Sequence, residues 1–165
     1  MKEQLQQLAA YHIWANNRLF GRISQLTEEQ VHREVASSFP SLYQTILHMW
    51  DAESIWWQRF RLAEHITRPS EHFKGNIEAL ISSVNAQSQQ WKAWIDEARL
   101  IQLEHVFAYQ NMKKEQFKQP LYQVLLHIFN HGTYHRGQLV TLLHQVGADK
   151  IPSTDFVEFT RTVKN

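Results

Sequence analysis

The stretch from Leu125 to Gln138 reads Leu-Leu-His-Ile-Phe-Asn-His-Gly-Thr-Tyr-His-Arg-Gly-Gln, with three histidines spaced four residues apart. On a helix, side chains at that spacing lie on one face, about 5–6 Å apart at Cβ. Two adjacent histidines can therefore converge on one metal ion. All three cannot, because roughly 12 Å of helix rise separates His127 from His135.

The apolar pattern around this stretch decides which pair is favoured. Apolar residues at three- and four-residue spacing predict an amphipathic helix over residues 120–146. Within that stripe His131 and His135 take positions where leucine is expected, whereas His127 lies at its edge. An unpartnered buried imidazole costs roughly 1–3 kcal/mol, so two of them need a common explanation. A shared metal ion is one; hydrogen bonds to each other, to water or to the backbone are the alternative.

A third ligand must come from another helix. His48 is the best candidate, since it lies between Ile46 and Met49 on the second predicted helix and faces the interior or its margin. His12, on the stripe of the first predicted helix, is the reserve. The other histidines lie in polar or boundary contexts, where exposed or locally bonded side chains are expected: His32, His65, His72, His105 and His144.

The rest of the chain predicts an all-α fold. Glycine and proline are scarce, and apolar periodicity predicts long helices over residues 2–26, 42–64, 75–95 and 120–146. Thr27 and Ser41 are predicted helix caps, and Gly147 a left-handed residue after the fourth long helix. Residues 101–118 break the helical period and predict a small hairpin or extended loop between helices 3 and 4. A short C-terminal helix is expected over residues 155–163. Short connections favour a four-helix bundle.

Composition narrows the possible functions. The 165 residues fit a single domain, 1–165, and carry 17 basic and 16 acidic side chains, a net charge of +1. This balance argues against nucleic-acid binding and against an anionic membrane partner. Cysteine is absent, so any metal ligands are nitrogen or oxygen atoms. With no signal-like or membrane-spanning apolar run, a cytoplasmic protein is expected.

Several motifs together resemble the DinB family. They are Tyr11-His12-Ile13-Trp14-Ala15-Asn16 in the first helix, a lone His48 early in the second, His131-Gly132-Thr133-Tyr134-His135-Arg136-Gly137-Gln138, and Asp155-Phe156. The resemblance covers nearly the whole chain and implies an up-down-down-up four-helix bundle, commonly a homodimer. It also implies metal ligands at His48, His131 and His135. The family often has asparagine where this chain has His12, which leaves His12 as a partner of the site or an extra ligand.

A three-histidine site implies open coordination positions for a small-molecule substrate. Characterised members of the family include thiol S-transferases and a thiol-dependent isomerase. The resemblance thus implies a divalent ion, zinc or nickel, that acts through a metal-bound thiolate or water, with a low-molecular-weight thiol as co-substrate. The alternative is a non-catalytic metal or small-molecule binding protein of a stress response.

Expectations for the neighbouring residues are less specific. Asp51 and Glu53 are either partners of the histidines or, as we favour, solvated surface charges. Arg136 is expected to point away from the metal and to pair with a carboxylate such as Asp155. Trp56 and Trp57 are adjacent and are not expected to face the same core, so one of them is a candidate dimer contact.

Overall fold

The structure is a computed structural model that describes residues 1–111 and 113–162. Within these ranges the chain is mostly helical, with one two-stranded antiparallel sheet. The helices are α1 (Lys2–Ile23), α2 (Glu28–His32), α3 (Leu42–Phe60), α4 (Ile77–Glu97), α5 (Leu100–Glu104), α6 (Leu121–Gln145) and α7 (Phe156–Thr162). The strands are β1 (Val106–Gln110) and β2 (Gln116–Pro120), and a 3-10 turn covers Pro69–Glu71.

The four long predicted helices correspond to α1, α3, α4 and α6. α1 packs against α4 and α6, and α3 packs against the same two helices. No helix in the described part of the chain is both long and apolar enough to cross a membrane. The predicted C-terminal helix is present as α7; Val163, its expected last residue, lies outside the described residues.

The local signals at several helix ends are confirmed. The side chain of Ser41 accepts a hydrogen bond from the backbone N–H of Gln44, and Thr27 forms a capping box with Gln30 at the start of α2. Gly147 adopts a φ of +77° after α6.

The second long helix ends earlier than predicted. It stops at Phe60 and not near Glu64, because Leu62 adopts a left-handed backbone with a φ of 54°. Apolar periodicity continues past this point and gives no sign of the break.

A hairpin occupies the region between the third and fourth long helices, as expected. Its register runs from Val106 opposite Pro120 to Gln110 opposite Gln116. The one-turn helix α5 was not predicted; it precedes the hairpin and, apart from Leu100, lies in the segment predicted to be irregular.

Trp56 and Trp57 are both half-buried and pack against the same apolar cluster. Trp57 meets Trp91 edge-on at 4.8 Å between ring centroids, and Trp56 meets Tyr109 of the hairpin at the same distance. The expectation that they cannot share one core is therefore wrong, because the hairpin extends the apolar surface over Trp56.

The interior has two apolar clusters, one towards each end of the long helices. The first contains Leu19, Ile23, Leu42, Ile46, Met49, Leu80, Val84, Leu139 and Leu142. The second contains Leu5, Ala9, Trp91, Ile95, Leu121, Val124, Leu125 and Ile128. Between them, every long helix contributes buried polar residues, which we call the buried polar layer: His12, Asn16, Glu53, Ser88 and Arg136.

Two leucines of α6 test this assignment of the core. Leu139 is 0% exposed in the first cluster, whereas Leu126 on the same helix is 43% exposed. Leu139→Ala is expected to lower the free energy of unfolding by about 2–5 kcal/mol, because it leaves a cavity. Leu126→Ala should cost no more than about 1 kcal/mol. Urea unfolding of both variants measures the loss of unfolding free energy. Equal losses would contradict the difference in burial between Leu139 and Leu126.

Candidate metal centre

Three histidines from two helices meet where α3 packs against α6. The Nε2 atom of His131 lies 3.2 Å from Nε2 of His48 and 3.0 Å from Nε2 of His135. One nitrogen from each of the three rings lies within 4.8 Å of those of the other two. The structure thus brings together the three side chains that the sequence singled out, and their binding of a metal ion stays a prediction.

The packing of α3 against α6 creates this arrangement. His131 and His135 are one turn apart on α6, with ring centroids 4.3 Å apart, and His48 approaches them from α3. His135 is buried, while His48 and His131 are half-buried. The cluster therefore lies between the core and the surface, where a small molecule can reach it.

Neighbouring side chains fix two of the rings. Nδ1 of His135 donates a hydrogen bond to Oε1 of Gln138 at 2.7 Å, which leaves the lone pair of its Nε2 directed at the cluster. The ring of Phe39 stacks on His48, with centroids 4.0 Å apart and planes 19° from parallel. Such outer contacts orient metal-ligating imidazoles in other proteins.

The site keeps these histidines neutral. Burial, followed by the neighbouring His135, lowers the pKa of His48 to about 4. Burial and then the charges of His135 and His48 lower the pKa of His131 to about 3, and burial also lowers the pKa of His135. Near neutral pH all three rings therefore lack the second proton that would block coordination.

Two of the three nitrogen separations fit a metal ion, and the third pair, His48 and His135, lies within 4.8 Å. Bonds of about 2.0–2.1 Å at tetrahedral angles place neighbouring ligand nitrogens about 3.3 Å apart. The observed separations of 3.0 and 3.2 Å are close to that value. Without a cation, Nε2 of His131 faces two nitrogens at once and one proton cannot satisfy both contacts, so a shared ion suits this donor set better than mutual hydrogen bonding does.

His127 and His12 lie outside the cluster. His127 is exposed, with its ring 6.1 Å from that of His131 and 5.4 Å from Trp56. His12 is 1% exposed in the buried polar layer, where its Nε2 lies 2.9 Å from Oε1 of Glu53. This geometry makes His12 a partner of Glu53 and not a fourth member of the cluster.

Two expectations about the charged neighbours are wrong. Glu53 is not a surface charge: it is 4% exposed and also accepts a hydrogen bond from Ser88 at 2.8 Å. Arg136 is not paired with Asp155; its Nη1 donates to Asn16 and to Nδ1 of His12, both at 3.1 Å. Both charges are buried because each finds partners on other helices.

Asp51 does not touch the histidines. Its carboxylate accepts hydrogen bonds from the backbone N–H of Ser70 at 3.0 Å and from the hydroxyl of Ser70 at 2.6 Å. It thereby holds the segment after α3 beside the cluster, a role different from both alternatives weighed for it.

Phe39 and Gln138 were missed as site residues. The sequence held a signal for Gln138, since a residue three positions after His135 on a helix lies beside it. Nothing in the sequence around Phe39 indicates that it stacks on His48, because it precedes the helix and its position depends on the loop.

A cavity of ≈ 520 Å³ opens beside the cluster. His48 and His131 form part of its wall, together with Trp56, Arg59 and Arg68. This volume lies in the range of small-molecule sites.

Comparison with known proteins identifies the family of this chain. A model of the DinB family matches residues 1–163. The chain is 29% identical over 158 residues to Protein DinB of Bacillus subtilis (strain 168), and the match covers 90% of this chain and 89% of that protein. Since the family model spans almost the full sequence, the chain belongs to the DinB family.

Proposed function

We propose that this protein binds one divalent metal ion with His48, His131 and His135 and uses it in a thiol S-transferase or hydrolase reaction on a small molecule. The observation that carries the proposal is the convergence of three neutral imidazole nitrogens beside a cavity. Zinc or nickel is the proposed ion, because imidazole ligands suit both.

The ligand set is typical of a catalytic metal site and not of a closed structural one. Three protein ligands leave at least one coordination position open, as in catalytic zinc sites. Because the imidazoles are neutral, the ion keeps its full charge and, when bound, supplies a Lewis acid that favours deprotonation of a thiol or water. The protein's part is to hold the three nitrogens in place through Gln138 and Phe39 and to admit the substrate through the cavity.

One observation favours the alternative, a binding protein without turnover. Within residues 1–111 and 113–162, no carboxylate hydrogen-bonds to any of the three histidines. A site without an adjacent general base depends wholly on the ion for activation, and an ion can equally serve to stabilise the bundle.

We also infer the up-down-down-up arrangement of the four long helices. Lys2 at the start of α1 bonds to Asp96 at the end of α4, which supports an antiparallel pair. The hydroxyl of Tyr43 in the first turn of α3 bonds to Gly75 just before α4, which supports a parallel pair. A long connection between α3 and α4 follows from that direction.

Metal binding is the first test. We expect one equivalent of Zn²⁺ or Ni²⁺ per chain, measured by metal analysis and calorimetric titration. Gln138→Ala should weaken binding about 10–100-fold, because it frees the ring of His135, and His131→Ala should weaken it more. His127→Ala, one turn away on the same helix, is the matched control. Equal affinity in the His127→Ala and His131→Ala variants would refute the site.

Turnover is the second test. Metal-loaded protein should conjugate a low-molecular-weight thiol to a test electrophile or hydrolyse a test ester. Both the chelated protein and His131→Ala should lose at least about 100-fold in rate, since loss of ion-based activation corresponds to several kcal/mol. The readout is product formation by chromatography. If the metal-loaded protein reacts no faster than His131→Ala in any of the assays, the binding-protein alternative is favoured.

The depressed pKa values give a third test, on metal-free protein. Below about pH 6.5 an unfolded chain protonates its histidines, while folded His48 and His131, with pKa values of about 4 and about 3, stay neutral. Stability should therefore fall as pH falls from about 6.5 towards 4, by up to about 1.4 kcal/mol per pH unit for each histidine.

His131→Gln should make this dependence shallower, whereas His144→Gln, which alters an exposed histidine of the same helix, should leave it unchanged. Urea unfolding at several pH values measures the slope. A slope identical in the two variants would show that His131 is not held neutral by the fold.

A further inference from the structure

Among the residues that the structure describes, the wall of the cavity beside the histidines carries more positive than negative charge. Arg59 and Arg68 both line it, against one carboxylate, that of Asp51, which is already bonded to Ser70. The arginine side chains that form ion pairs in the described part of the chain are Arg18, Arg22 and Arg33. Neither cavity arginine has a carboxylate oxygen within 4.0 Å there.

Two aromatic rings hold Arg59 in place. Its guanidinium lies 4.7 Å from the ring centroid of Trp56 and 5.7 Å from that of Tyr109. Its Nε is buried and makes no hydrogen bond among residues 1–111 and 113–162. Burial also lowers the pKa of the group. A stacked, partly desolvated guanidinium presents its remaining N–H groups as a fixed fork, which matches a carboxylate.

Between Arg59 and the histidine cluster, α3 contributes the apolar side chains of Ala52, Ile55 and Trp56 to the cavity wall, and His127 of α6 lies beside Trp56. His48 and Arg59 line the cavity from the same helix, α3. Ile55 and Trp56 lie between them in the sequence and also line the cavity. About 16 Å of helix rise separates the levels of His48 and Arg59. Because Arg59 lies over Trp56, three residues earlier, its charged end leans back towards the histidines and shortens the gap.

We propose that Arg59 anchors the carboxylate of an elongated small molecule whose apolar body lies along Ile55 and Trp56 and whose other end reaches the three histidines. This assigns a substrate class, small carboxylates with an extended apolar chain, and rests on the proposed function of the histidine cluster. Arg68, which is exposed, adds positive charge nearer to His48 but is not the anchor.

The test uses the full chain and two probes of the same length. Hexanoate carries a negative charge, and hexanamide is neutral. Binding is followed by calorimetry and by the NMR signal of the Trp56 indole. Wild-type protein should bind hexanoate at least about tenfold more tightly than hexanamide, as expected for a charge-assisted hydrogen bond. Arg59→Gln should abolish the preference, and Arg59→Lys, which keeps the charge but not the fork, should reduce it.

Arg61→Gln is the matched control, because Arg61 is exposed, two residues away and not part of the cavity wall. It should retain the full preference. Thermal unfolding of each variant shows whether it is folded. If Arg59→Gln is unfolded, the preference measured for Arg59→Lys tests the anchor. An unchanged preference in the folded Arg59 variants would overturn the proposal.

Metal-free His131→Ala separates this inference from the proposed function. It should still prefer hexanoate, since the anchor does not involve the ion. A preference that disappears in His131→Ala but survives in Arg59→Gln would show that the carboxylate binds the metal, which overturns the anchor. Normal metal binding by His131→Ala would instead overturn the proposed function and leave the comparison of the Arg59 variants decisive for the anchor.

Discussion

The buried polar layer is the constraint on which the rest of the structure depends. Each long helix interrupts its apolar stripe with a charged or polar side chain between the same two apolar clusters. Burying such groups is unfavourable unless they bond to one another. Here Glu53 bonds to His12 and Ser88, and Arg136 bonds to His12 and Asn16. Any shift of one helix along its axis would break these bonds, so the layer fixes how the helices align.

The histidine cluster depends on this alignment. His135 and Arg136 are adjacent on α6, yet one faces the cluster and the other the buried layer. Arg136 therefore sets the rotation of α6 that presents His135. Gly132 makes the close approach possible, because a Cβ there would lie 2.3 Å from Cε1 of His12. A larger residue at Gly132 would push α1 away from α6 and disturb the layer, and with it the level at which His131 meets His48.

The sequence predicted the parts of this arrangement that follow from one helix at a time. Apolar periodicity placed the long helices, and it placed His131 and His135 on a core-facing stripe. Apolar periodicity failed where burial depends on partners on other helices. In the sequence Glu53 resembles a surface charge, but in the fold it is buried because Ser88 and His12 bond to it. The end of α3 was misplaced for a different reason, since the left-handed backbone of Leu62 has no signal in its side chain. Local patterns therefore give helices and candidate ligands, whereas the network between helices needs the fold.

The position of the histidine cluster among the long helices bears on what an ion there can do. An ion that only stabilised the fold would be best placed inside the buried polar layer, enclosed by protein ligands. The three histidines instead lie at its margin, where His48 and His131 are half-buried and border a cavity. In the buried layer Glu53 and Arg136 both bond to His12, although Nε of Arg136 makes no hydrogen bond among the described residues. An arginine N–H is a donor and not a metal ligand, so this unpaired group gives no reason to place an ion in the layer. The placement therefore favours an ion that meets small molecules. The guanidinium of Arg59 in the same cavity has no ion-pair partner within the described part of the chain, which favours small molecules that carry negative charge.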